Sequence, residues 1–214
     1  MSDETETRLK RIKIKRTISL SESSSVEPEG FMNNTIVIYQ SKYGYTERYA
    51  KWIAQELNCE VISRKDATIE KVKSYDTIIF GSGIYGGKIE GIDLITRNFD
   101  QLKSKSLVLF TCSMCDPVDP VIRKSIWTEL VKTVPEEILS KMHVFHYQGG
   151  MDFERLNIGY KLVIGAMAKV LGMKDPAKIG PIERELINAT KGKVDHCDRS
   201  KISQLVEFVR SLPA

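Results

Sequence analysis

The chain has 214 residues, of which 42% are hydrophobic, and its formal net charge is +4. This length and apolar content fit one domain with a single core and argue against two large domains. The positive charge suits an anionic cofactor or membrane surface. No basic run is interleaved with aromatic residues, so we expect no nucleic-acid partner.

Residues 1–31 differ in composition from the rest of the chain. They are acidic at first, then basic from Arg8 to Arg16, then rich in serine. Such a composition cannot bury a core, so we predict a disordered tail over 1–31 and one domain over 32–214. Met32 is a plausible alternative start, and Arg16–Ser19 fits a basophilic phosphorylation motif less well than a solvated tail.

The compartment follows from what the sequence lacks. No apolar run reaches the roughly 18 to 20 residues of a spanning helix, and the charged N-terminus has no signal-peptide core. The four cysteines are too few and too scattered for a disulfide framework. We therefore expect a cytoplasmic protein.

From residue 35 onward, short apolar runs alternate with helical patterns. This alternation predicts a parallel sheet, and strands apolar throughout indicate that helices cover both faces. Five strands make a doubly wound α/β domain, whose ligands bind beyond the carboxyl ends of the strands. Strands are predicted near 35–40, 60–63, 76–81, 106–111 and 143–148, and helices near 46–57, 91–102, 120–133, 154–172 and 200–212.

The loop Ser41–Thr46 joins the first strand to the first helix and predicts a phosphate site. Amides at a helix N-terminus lack intrahelical partners and, with hydroxyl groups nearby, can bind an anion. We expect Gly44 to give the backbone room beside the phosphate and Thr46 to cap the helix. The loop lacks the glycine patterns of triphosphate and dinucleotide sites, which favours a monophosphate such as that of flavin mononucleotide (FMN).

A second loop, Gly81–Gly87, has four glycines among seven residues after the third strand. Glycine at this density lets the backbone approach a flat ligand. We predict that Tyr85 lies against a flavin and that a peptide between Gly83 and Gly86 bonds its reducible edge. The alternative is an ordinary turn in which Tyr85 packs on protein.

With these loops the sequence resembles flavodoxin-fold proteins, and among them the bacterial menaquinone-dependent protoporphyrinogen dehydrogenases and their flavodoxin-domain relatives. The resemblance covers residues 34 to about 212. Besides the two loops, it rests on the turn 149–153 and on an extra apolar segment, Ile158 to Met173, before the last helix. It implies a flavodoxin-like five-stranded parallel sheet of order 2-1-3-4-5 with FMN as cofactor.

The same resemblance implies the cofactor-binding residues. One group surrounds the phosphate and the other surrounds the ring, with catalysis carried by the flavin and no metal. The chain departs from classical flavodoxins because its third loop, 112–115, lacks an aromatic residue and because the chain is basic. The implied residues are Ser41, Lys42, Tyr43, Gly44, Tyr45 and Thr46 for the phosphate, and Ser82, Gly83, Ile84, Tyr85, Gly86, Cys112, Ser113, Gly149, Gly150 and Met151 for the ring.

Cys112 and Cys115 form a C-x-x-C motif beside the expected flavin, with His143 and His146 on the next strand. The pair would suit a thiol relay or, with the histidines, a zinc site. A structural role fits better, because a proline closely follows the pair and the histidines lie in the middle of a strand.

Three functions remain open. The first is electron transfer or flavin oxidoreduction, with a reductase, quinone or porphyrinogen as redox partner. The second is oxidation of protoporphyrinogen by a quinone in heme biosynthesis, and the third is a non-catalytic interaction module. The segment Ile158 to Met173 also has three interpretations: a buried helix, which is favoured, a homodimer contact, or peripheral attachment to the inner face of the membrane.

Overall fold

The computed structural model describes residues 34–213. The predicted tail, the alternative start at Met32 and the phosphorylation motif lie outside the described residues.

The described chain alternates strands and helices, with short 3-10 turns between some of them. The strands are β1 (Thr35–Gln40), β2 (Glu60–Ser63), β3 (Thr77–Tyr85), β4 (Lys88–Ile89), β5 (Ser106–Ser113), β6 (Met142–Gln148), β7 (Gly150–Asp152) and β8 (Lys193–Asp195). The helices are α1 (Tyr45–Leu57), α2 (Ile69–Val72), α3 (Asp93–Thr96), α4 (Phe99–Leu102), α5 (Pro120–Thr133), α6 (Glu136–Leu139), α7 (Ile158–Gly172), α8 (Pro181–Ala189) and α9 (Ser203–Arg210).

The main sheet confirms the predicted topology. Its parallel strands lie in the order β2-β1-β3-β5-β6, which is 2-1-3-4-5 when only these five are counted. The carboxyl ends of β1, β3, β5 and β6 therefore meet at one edge, where the predicted loops begin.

The core lies on both faces of this sheet. Ile36 and Ile38 pack on one face with α3, α5 and α6, while Val37 packs on the other with α1 and α9. Successive side chains of a strand point to opposite faces, so a strand between two helical layers must be apolar at every position. The continuous apolar runs in the sequence are explained in this way.

The predicted helix 91–102 is interrupted. Two short helices, α3 and α4, replace it, although Ile92, Ile95 and Leu102 are buried as expected. The Asn98 side-chain amide donates to the Leu94 carbonyl at 2.8 Å and takes the place of a backbone donor, which ends the first helix.

The third strand is longer than predicted and turns into a hairpin. Gly81–Tyr85 continue β3, and only Gly86 and Gly87 form the turn that leads to β4. Both have positive φ, 56° and 78°, as the central residues of a two-residue hairpin require. The stretch taken as a glycine-rich loop is therefore mostly strand.

A lobe that the sequence indicated only in part lies between β6 and α9. It contains α7, α8 and the two-stranded antiparallel sheet of β7 and β8, of which only α7 was predicted. Strands of three residues carry too little pattern to be recognised. Within residues 34–213, no helix has both the length and the apolar character needed to cross a membrane.

Candidate functional site

A cavity of about 510 Å³ opens at the carboxyl edge of the main sheet. This volume is within the range of small-molecule and cofactor sites. We call it the edge cavity. Its lining residues are Lys42, Tyr43, Tyr45, Thr46, Ile84, Tyr85, Gly86, Gly87, Cys112, Ser113, Met114, Cys115, Ile122, Ser125, Ile126, Glu129, Gly150, Met151, Leu156, Tyr160, Val163, Ile164, Met167, Ile182 and Leu186.

The loop after β1 presents the N-terminus of α1 beside this cavity. Gly44 is the N-cap residue, with φ 90°, and its amide donates to Ser41 Oγ at 3.1 Å. A glycine cap provides no side-chain acceptor, which leaves the first-turn amides available to an outside anion. The prediction that Thr46 caps the helix is wrong, because the helix already begins at Tyr45 and Thr46 is buried in its first turn.

Charged side chains surround this helix N-terminus. Lys42, Glu47 and Arg155 line a second depression of about 500 Å³ beside Gly44. Lys51 neutralises Glu47 at 2.7 Å, and the Lys42 ammonium is bonded to a carboxylate on the hairpin. Arg155 is exposed and adds a cation that the sequence analysis missed, since it lies more than one hundred residues along the chain from the loop.

Tyr85 packs on protein. Its hydroxyl accepts a hydrogen bond from the Lys42 amide at 3.1 Å, and its ring lies edge-on to Tyr43 with centroids 5.8 Å apart. A Cβ atom on Gly83 would lie 2.5 Å from this ring, so glycine is required for Tyr85 to fold back. The side chain joins the hairpin to the phosphate loop and lines the edge cavity. Its contact with a flavin stays a prediction.

Ser82 stabilises the hairpin through a hydrogen bond to the backbone that follows it. Its side chain is fully buried, and the hydroxyl donates to the Glu90 carbonyl at 2.9 Å.

Five of the sixteen predicted cofactor-binding residues do not line the edge cavity, while the other eleven do. The five are Ser41, Gly44, Ser82, Gly83 and Gly149, of which Gly44 lines the second depression.

The end of β5 contributes the cysteine pair. Burial raises the pKa of the Cys112 thiol far above its ordinary value and raises the pKa of Cys115 to about 11. Thiols this basic are protonated and unreactive at neutral pH. A Cβ atom on Gly149 would lie 2.5 Å from Cys112 Sγ, so the turn after β6 packs directly on this thiol. These contacts support a structural role for the pair.

The two histidines of β6 also have packing partners. The His143 ring lies 4.0 Å from that of Phe208, and His146 Nδ1 lies 2.7 Å from Thr111 Oγ1. No group of three or more potential metal ligands occurs within the part of the chain that the structure describes.

The lobe forms the remaining wall of the edge cavity, and this wall is apolar apart from Tyr160. It comes from one side of α7, from α8 and from Leu156. Opposite it, Ser125 and Glu129 of α5 supply polar groups. Sequence periodicity could place these residues on helices, but it could not show which faces turn towards the sheet edge.

A sequence model of the family described as "Flavodoxin domain" matches residues 36–177, about two thirds of the chain. The chain belongs to the flavodoxin domain family. The match runs from β1 through α7, so the family domain includes both the phosphate loop and the apolar helix of the lobe.

Individual relatives are more distant. An uncharacterized protein of Methanocaldococcus jannaschii is 41% identical over 54 residues, which are 25% of this chain and 36% of that protein. A WrbA-like flavodoxin of Agrobacterium tumefaciens is 15% identical, with 83% of this chain and 98% of that chain covered and a TM-score of 0.42. A flavoprotein of Lactobacillus acidophilus in complex with FMN is 17% identical, with 54% and 92% covered and a TM-score of 0.36.

The described residues fit a phosphate attached to a flat apolar group. The N-terminus of α1, the Ser41 hydroxyl and Arg155 would hold the phosphate. The hairpin, the end of β5 and the turn 149–151 would surround the ring.

Proposed function

We propose that this flavodoxin-domain protein binds FMN at the carboxyl edge of its sheet and acts as a flavin-dependent oxidoreductase. The observation that carries the proposal is the continuity between a bare helix N-terminus and a mostly apolar cavity of cofactor size. Such a helix end attracts a phosphate dianion, and the cavity accepts the ring joined to it.

The bound flavin would supply reversible transfer of electrons, and the protein would supply binding and tuning. The cavity in which the ring would lie is lined by Tyr85, the two glycines of the turn and Met151. Glu129 lies beside Gly87, where a Cβ atom would come within 3.0 Å of its Oε2 atom. This carboxylate pairs with Lys132 at 2.9 Å and can accept a hydrogen bond from a substrate at the rim.

The substrate that this wall favours is a flat, apolar molecule. Val163, Ile164 and Met167 offer dispersion contacts and few hydrogen bonds, which suits a quinone or a porphyrinogen better than a sugar or nucleotide. Protoporphyrinogen oxidation with a menaquinone acceptor is therefore the specific reaction that we propose to test.

The first experiment measures the cofactor itself. The purified full-length protein is expected to carry FMN, seen by its visible absorption bands and identified after release by chromatography. Protein that neither retains nor takes up FMN on titration would contradict the proposal and leave the non-catalytic module as the function.

The second experiment identifies the reaction. The FMN-loaded protein is incubated anaerobically with protoporphyrinogen and a water-soluble menaquinone analogue, and porphyrin fluorescence is followed. Turnover that needs both compounds supports the specific reaction. Flavin that is reduced and reoxidised by other partners, but not by these, supports a general electron-transfer protein.

A further inference from the structure

Helix α7 carries large apolar side chains on both sides, with Lys161 and Lys169 as its only charged residues, and one of these sides faces the rest of the protein. Tyr160, Ile164 and Met167 face the edge cavity, and Leu171 is buried. The expectation that the helix is buried within the fold is therefore wrong for most of its surface among the described residues. The opposite side, which we call the outer face, consists of Ile158, Leu162, Ala166, Val170 and Met173.

The outer face is strongly exposed. Ile158 is 80% exposed, Leu162 69%, Val170 62% and Met173 81%. With Ala166 between Leu162 and Val170, the spacing of three or four residues places these side chains in one row along the helix. A row of large apolar side chains of this length costs free energy in water and commonly marks a contact with another surface.

The charges around the outer face indicate which kind of surface it contacts. Between residues 158 and 180 there are four lysines and one acidic residue, Asp175. Two of the lysines pair with glutamates outside this range, Lys161 with Glu154 at 3.3 Å and Lys174 with Glu183 at 2.9 Å, while Lys169 and Lys178 carry the remaining positive charge. Lys169 lies within the row itself and is exposed, and Lys174 and Lys178 follow the helix and are exposed too. Lysine beside apolar side chains suits a bilayer surface, where the stem lies along the acyl region and the ammonium reaches anionic headgroups.

A second copy of the chain fits this face less well. A symmetric contact through this row would bury both Lys169 ammonium groups among apolar side chains without an opposite charge in the row. Residues 1–33 also fit less well than an anionic surface, since their six acidic residues are balanced by six basic ones and give the segment no net negative charge.

We propose that the outer face of α7 binds the surface of an anionic lipid bilayer. The helix lies in the interface with Ile158, Leu162, Val170 and Met173 inserted among the headgroups, and Lys169 reaches the phosphates. Its other side lines the edge cavity, so a substrate dissolved in the bilayer would enter the cavity along α7. This entry route rests on the proposed function, but the lipid contact does not.

The test is co-sedimentation of the full-length protein with phosphatidylglycerol vesicles and with phosphatidylcholine vesicles. We expect binding to the first and much weaker binding to the second, with a loss of affinity as salt is raised. Leu162→Glu should weaken binding by at least about tenfold, the value of one buried apolar side chain. Lys169→Gln should weaken it by about fivefold, the value of one basic residue near such a surface.

The matched control is Gln101→Glu, which makes the same change of charge as Leu162→Glu at an exposed position on α4, near the opposite edge of the sheet. It should bind vesicles almost as the wild type does. Thermal unfolding and FMN content should stay the same in all three variants, because each side chain is exposed. If the wild type binds no FMN, the proposed function is contradicted. The vesicle measurement can still be interpreted, because it does not depend on FMN.

Three results would overturn the lipid proposal. The first is equal binding of Leu162→Glu and Gln101→Glu, which would place any lipid contact elsewhere, for example in residues 1–33. The second is the absence of preference for phosphatidylglycerol. The third is a wild-type dimer in sedimentation velocity that Leu162→Glu converts to a monomer, which would assign the outer face to a second copy of the chain.

Discussion

A comparison of the variants Gly44→Asp and Gly44→Asn separates the effect of a negative charge on phosphate binding from the effect of a changed loop conformation. Gly44 has φ 90°, and a Cβ atom there meets nothing within 4 Å, so either side chain has space. Asparagine and aspartate both tolerate positive φ better than most residues, and the free energy of backbone strain should be similar for the two. They differ only in one negative charge at the N-terminus of α1.

The magnitude follows from Coulomb's law. A carboxylate about 5 Å from the phosphate dianion, at an effective dielectric constant of about 35 to 70 for this solvent-exposed site, is repelled by about 2 to 4 kcal/mol. The dissociation constant of FMN should therefore be about 30- to 1000-fold higher for Gly44→Asp than for Gly44→Asn. The unliganded proteins should rank in the opposite order, because a carboxylate at a helix N-terminus adds about 0.3 to 1 kcal/mol of stability.

The assay is a titration of each unliganded variant with FMN, followed by quenching of flavin fluorescence, together with thermal unfolding without FMN. Opposite rankings for affinity and stability support a phosphate at this helix end. If both variants bind FMN within about threefold of each other, the phosphate lies elsewhere and the site is wrong.

Four further outcomes are expected. Arg155→Ala should raise the dissociation constant of FMN about three- to fivefold at low salt, while Arg155→Lys should restore most of the affinity. The double change of Cys112 and Cys115 to serine should keep FMN and the rate of electron transfer, and a collapse of the rate with FMN still bound would make the pair a relay. Burial raises the pKa of the Cys115 thiol from 9.0 to about 11, so the native state keeps a proton that the unfolded chain releases. The free energy of unfolding should therefore fall as pH rises from about 9 to about 11, and Cys115→Ala should make this fall shallower in urea titrations. Deletion of residues 1–31 should leave the melting temperature and FMN content unchanged, and a large loss of either would show that this segment packs on the domain.

The sequence was sufficient for the architecture. Runs such as Ile78–Phe80 and Leu107–Phe110 are apolar at every position, which identifies strands covered on both faces, and their alternation with helical patterns predicts parallel pairing. The loop for which we predict phosphate binding could also be located from the sequence, because strand, hydroxyl-rich loop and helix follow one another along the chain.

Tertiary structure decided the features that join distant residues. Arg155 and the lobe meet the phosphate loop only after the chain has folded back, and no local pattern encodes that approach. The contacts of Tyr85 could not be predicted from the sequence either. Its ring folds onto Gly83 through a hairpin whose second strand has only two residues. Whether an apolar helix such as α7 is buried depends on the neighbours it meets, because its own sequence is equally apolar on both sides.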